Sequence, residues 1–215
     1  MLTKIATLVA FLAVLAACQG QNPDDVDLLA AASALDIPEL SCGPHGVPNG
    51  KPAELTASRV SPGHGAYIEF RQRLSPAIPS GHLYVVFGKL DGAGEPLTRQ
   101  YVGLYPIGSV IGLYGGAIVP MPASLAPSYT DCRFDTQAAY RVSLNERQYR
   151  RLLASVREAL ADPPQWHMAA FNCNHFAASL GAAVGLRAPR NRLLPAFAYI
   201  HALIERNEGA ADGGA

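Results

Sequence analysis

An α+β fold is what this sequence predicts, with strands gathered early in its globular part and helices late. Three observations carry that reading. Leu83-Tyr84-Val85-Val86-Phe87 is a dense aromatic and β-branched run closed by Gly88, the pattern of a buried strand. Tyr149, Leu152, Leu153, Val156 and Leu160 repeat at helical spacing, while Arg147, Arg150, Arg151 and Arg157 fall on the opposite side. The chain has 215 residues, enough for one domain with a core and too few for two comfortable ones.

Taken in order, residues 18–55 form a tether and irregular lead-in, because three aspartates (Asp24, Asp25, Asp27) and an alanine-rich stretch give way to Pro38, Pro44, Pro48 and Pro52. The globular unit is expected over residues 56–206. Ala66 to Phe70 reads as a first strand and Leu83 to Phe87 as a second. Asp91-Gly92 and Gly94 turn the chain, so Arg99 to Tyr105 returns as the antiparallel partner. Val110 to Val119, interrupted by Gly112, Gly115 and Gly116, suggests strands meeting at a bend, and a proline-rich loop follows from Pro120 to Pro127.

One more strand is expected at Ala139 to Val142. Ser143-Leu144-Asn145-Glu146 matches a capping box, which places a helix from Leu144 to Ala161, stopped by Pro163 and Pro164. A second helix opens at Asn172 or Cys173, with Phe176, Leu180 and Val184 at intervals of four and Gly185 as its stop. Pro195 starts a third, Ala196 to Ile204, before a disordered polar and glycine-rich tail at 207–215.

The totals exclude some classes of function. Lysine plus arginine and aspartate plus glutamate both number 17, so no basic face is implied and nucleic acid is not an expected partner. After the N-terminus no segment supplies the roughly 20 consecutive apolar residues of a membrane span.

The N-terminus has another meaning. Lys4, the apolar run Ile5 to Val14, and small residues before Cys18 describe a secretory signal over residues 1–17. Leu15-Ala16-Ala17-Cys18 resembles the lipobox of bacterial lipoproteins. That resemblance implies that Cys18 becomes the first mature residue and carries fatty acyl groups such as palmitate, several of which anchor firmly where one binds marginally. It also implies a place in the cell envelope, with the bacterial membrane as partner. Gln19 in place of an aspartate resembles the outer-membrane sorting pattern. The simpler alternative is an ordinary signal peptide cut near Ala17.

In an oxidising compartment spare thiols tend to pair. With Cys18 taken by lipid, Cys42, Cys132 and Cys173 remain, and the loop-like surroundings of Cys42 and Cys132 make these two the expected disulfide. Cys173 is then the odd thiol, either a packed structural cysteine or a reactive one.

Its neighbours bear on that choice. If Asn172 caps the helix, Cys173 is the first helical residue, where unpaired amides and the helix dipole favour a thiolate and the amides at Asn172 and Asn174 can hold an oxyanion. A nucleophilic thiol needs a base. His175, two residues on, points about 200° away on a helix. His82, at the start of the buried strand, is the better partner. Asn172-Cys173-Asn174-His175-Phe176, with a histidine earlier on a strand, resembles the cysteine box of circularly permuted papain-like proteins such as the PPPDE-type peptidases and the lecithin:retinol acyltransferase-like proteins, and the NlpC-type group more broadly. The likeness covers the layout from Gly81 to Gly185 and five or six residues closely.

What the resemblance implies is a small antiparallel sheet of four to six strands on two or three helices, in permuted order. It implies a thiol hydrolase or acyltransferase in which Cys173 attacks a carbonyl and His82 is base and then acid. Peptidoglycan peptides are the first substrates to try and lipids the second. A polar residue on the neighbouring strand would orient His82. Gln100 is the candidate, since the cation of Arg99 would lower the imidazole pKa. No cofactor is called for, and a zinc site from His82, His167, Cys173 and His175 matches no usual ligand spacing. Residues Gln165 to Leu186 also resemble bacterial envelope proteins of similar layout, a likeness that carries no activity. A non-catalytic envelope binding or structural protein is therefore the competing class. Arg187, Arg190 and Arg192 form a small basic cluster expected to be a solvated loop.

Overall fold

The computed structural model describes residues 37–75, 80–108 and 119–209. The signal peptide, the lipid site at Cys18, the first half of the tether, most of the glycine-interrupted segment from Val110 and the end of the tail lie outside them.

The fold is mixed α+β. Two short 3-10 turns, Pro38–Leu40 and Gly43–His45, precede β1 (Ala57–Arg59), β2 (Ala66–Arg73), β3 (His82–Lys89), β4 (Gln100–Val102), β5 (Tyr105–Pro106) and β6 (Ala123–Ser124). Then come α1 (Tyr129–Arg133), β7 (Ala138–Leu144), α2 (Glu146–Ala161), α3 (Cys173–Ala183) and α4 (Ala196–Glu208). Five strands form one sheet in the order β1-β7-β2-β3-β4, while β5 and β6 pair separately. The sheet is mixed, not antiparallel as expected. β1 runs parallel to β7, with Ala57 beside Tyr140, and the long intervening chain makes such a crossover possible.

The pleat sorts the central strands onto two faces. Ile68, Phe70, Leu83, Val85, Phe87, Tyr140 and Val142 point to the side where Leu152 and Val156 of α2, Phe176 and Leu180 of α3, and Ile200 and Leu203 of α4 close an apolar core. The other face carries Tyr67, Tyr84, Val86 and Tyr101, packed with Cys42 and Cys132. It also holds charge: Glu69 accepts from Arg71 Nε at 2.5 Å and from Arg141 Nε at 2.6 Å, all three buried. The lead-in covers this face, its Lys51 carbonyl accepting from Arg71 and from the Tyr101 hydroxyl.

The disulfide joins Cys42 to Cys132 with Cα atoms 5.6 Å apart. Cys132 sits in the short helix α1 rather than in a loop, under a capping box made by Ser128 and Asp131. The cap of α2 also differs from expectation. Asn145 and Gln148 form the box, and Ser143 belongs to β7, opposite Tyr67. Its hydroxyl instead accepts from the Ser61 amide at 2.8 Å and meets His64 Nδ1 at 3.0 Å, because two more residues of sheet pairing outweigh an earlier helix start.

Candidate thiol site at the mouth of α3

The start of α3 is built as its sequence suggests. Asn172 Oδ1 accepts from the amides of Asn174 at 3.0 Å and His175 at 3.3 Å, and the His175 ring returns to the Asn172 amide at 3.4 Å. Asn172 is therefore the cap, Cys173 the first helical residue, and His175 a capping group rather than a base. Asn174 is buried. Its side-chain amide donates to the carbonyls of Arg192 at 3.1 Å and Leu194 at 2.9 Å, fixing the loop that leads to α4.

The Cys173 thiol is half-buried and packs against the helix-side core. The backbone donors of Leu83, Asn174 and Cys173 itself favour the anion of this sulfur, as does the Arg73 cation. Burial outweighs them and pushes the thiol pKa up, so the resting group is a thiol and not the thiolate that a helix start alone would predict.

His82 opens β3 directly after Gly81, whose φ of 76° a side chain would strain and whose Cβ would meet the Arg73 carbonyl at 2.9 Å. The ring lies on the tyrosine face of the sheet. Its centroid is 4.6 Å from that of Tyr105 and 6.1 Å from that of Tyr84, and its Nε2 is buried without a hydrogen-bond partner. Burial, helped by Arg73 directly opposite on β2, lowers its pKa to about 4, against a smaller upward pull from Asp131. At neutral pH the ring is uncharged.

Helix α3 packs on β3, but Cys173 lies with the helix-side core while the His82 ring stacks on the tyrosine side of the same strand. The side chains are not hydrogen-bonded to each other: the side-chain partner of Sγ is Asn174 Oδ1 at 4.0 Å. Gln100 is not brought to His82. It pairs with Phe87, five residues along β3 and so roughly 16 Å away, and its amide donates to the Ile37 carbonyl. The carboxylate near His82 is that of Asp131, held by Arg73 Nε at 2.6 Å and by the Ser128 amide at 2.8 Å. Tyr105, its hydroxyl buried beside the Asp131 carboxylate, completes the group. No sequence signal ties Asp131 to His82, since the two come from a strand and a short helix far apart in the chain. Among the described residues, no three histidine, cysteine, aspartate or glutamate side chains gather as a metal site.

The fold and site define an α+β protein with a free cysteine at a capped helix start, seated on the strand that begins with a buried histidine. The chain matches no protein-family model, and no curated protein or solved structure is significantly similar to it.

Proposed function

We propose that the protein is a cysteine-dependent hydrolase or acyltransferase of the bacterial envelope, with a papain-like permuted layout and an anchor at Cys18. The observation that carries this reading is a free thiol at the first residue of the capped helix α3, beside the unpaired amide donors of the helix start and packed against the strand that His82 opens. Such donors stabilise negative charge on sulfur as it forms and on the oxygen of an attacked carbonyl.

Both partners are neutral at rest, so the chemistry starts from general-base attack rather than from a standing ion pair. Because the ring and the thiol lie on opposite sides of β3, substrate binding would have to shift the first residue of that strand, and not its ring alone, to bring the imidazole to the sulfur. The ring then takes the thiol proton as sulfur bonds to the acyl carbon, and returns it to the departing amine or alcohol. Water or another acceptor breaks the thioester and restores the thiol. Peptidoglycan stem peptides are the first substrates to test and lipid esters the second.

A non-catalytic reading is favoured by one observation: the thiol and the imidazole are uncharged and not hydrogen-bonded to each other. Mass spectrometry after incubation with peptidoglycan fragments and with short acyl esters separates the two. The enzyme reading expects an acyl adduct on Cys173, absent in Cys173→Ser and slowed about a hundredfold or more in His82→Ala. Iodoacetamide should label the free protein at a rate that climbs with pH to beyond pH 9, with no plateau near pH 6, because burial keeps the thiol protonated. If no substrate acylates Cys173 and His82→Ala leaves every rate unchanged, the non-catalytic reading stands.

A further inference from the structure

Arg187, Arg190 and Arg192 lie exposed in the loop after α3, as expected, and two of them share a concavity. Arg187 and Arg190 line an open cleft of about 620 Å³ together with Asn191, Glu205 and Arg206, the last two brought from α4. Three arginines and one glutamate line it, an excess of two positive charges in a chain whose net charge is zero. Among the described residues none of these three arginines is ion-paired, although the arginines of the sheet and of its edge are. Glu208 is occupied elsewhere, by Tyr140 and Arg59.

The cleft is held in shape. Asn207 of α4 accepts from the Arg187 amide at 2.9 Å and donates to the Arg187 carbonyl at 3.0 Å, so one side chain locks the loop onto the helix. Asn174 fixes the other end of the loop at Arg192 and Leu194. A cation near the last turn of α4 balances the helix dipole, which accounts for Arg206 alone. Arg187 and Arg190 need another reason to stand in the same concavity. A dianion supplies one, since forked guanidiniums match the oxygens of phosphate.

We infer that this cleft binds the phosphate group of a phosphomonoester, with Glu205 facing a hydroxyl or ammonium on the same ligand. The site is separate from Cys173, and the inference does not rest on the enzyme reading.

Calorimetry with inorganic phosphate and pyrophosphate at low ionic strength tests it, alongside flotation with phosphatidic acid vesicles compared with pure phosphatidylcholine vesicles. Saturable phosphate binding is expected, weakened about tenfold or more by Arg187→Gln or Arg190→Gln, less by Arg190→Lys, and unchanged by Arg151→Gln on the exposed side of α2. Excess binding to phosphatidic acid vesicles that phosphate displaces would identify a lipid headgroup as the source. Phosphate binding without that excess would identify a free phosphorylated ligand. Absence of saturable phosphate binding overturns the inference. So does an equal loss in Arg151→Gln, or vesicle binding that Arg190→Gln leaves intact.

Discussion

His82 stays uncharged at neutral pH because its ring is buried among tyrosines, with the Arg73 cation opposite and only Asp131 pulling the other way. In the unfolded chain the same ring titrates near 6.5 and binds a proton that the folded state refuses until about pH 4. Stability from this group is therefore complete above pH 6.5 and is lost as pH falls through that window, by on the order of 3 kcal/mol. Urea unfolding at pH 7 and at pH 4.5 should show that loss in the parent protein. In His82→Phe it should shrink, and an unchanged acid limb would mean that the ring is not the group responsible. At this scale the sequence disclosed Asn172 and Cys173, since a cap and the first helical residue are local facts. It could not disclose that the thiol and imidazole are not hydrogen-bonded to each other, or that Asp131 rather than Gln100 neighbours His82, because those depend on pleat direction and on how a distant helix docks.

Among the elements, α1 depends most on a covalent tie. Five residues make a marginal helix, and its contribution is to set Asp131 against Arg73 and Cys132 against the lead-in. The disulfide closes a loop of 90 residues' separation, for which chain entropy alone gives about 4–5 kcal/mol. Reduction, or Cys42→Ser, should lower stability by up to that amount in guanidinium titrations and should remove the lead-in from Tyr101, visible as faster amide exchange at residues 43–51. Retained protection there would show that the polar face holds the lead-in unaided. The pairing of β3 with β4 was legible because an aromatic run and an Asp-Gly turn are strong local signals. β1, β5 and β6 were not, being two or three residues long and stabilised only by partners distant in sequence. Ser143 misled for a related reason, since a capping-box pattern says nothing about a strand that continues through it.

Across the whole molecule the sheet separates two kinds of interior, apolar under the helices and ionic under the lead-in. Glu69 is the balance point of the second, a buried carboxylate between Arg71 and Arg141. Glu69→Gln should cost about 3–5 kcal/mol, because it strands two guanidiniums out of water. Replacing Glu69, Arg71 and Arg141 together by apolar residues of similar volume should cost far less. Equal losses in the single and triple variants would show that packing rather than charge governs this face.

The strand order has a kinetic consequence. β7 lies between β1 and β2, so β1 has no partner in the sheet until residues 138–144 arrive, while β2 has only β3. The chain must close loops of about 66–83 residues before those pairings return any free energy, which places it among slow, non-local folders. A nascent chain ending before β7 would hold little more than the β2–β3–β4 meander.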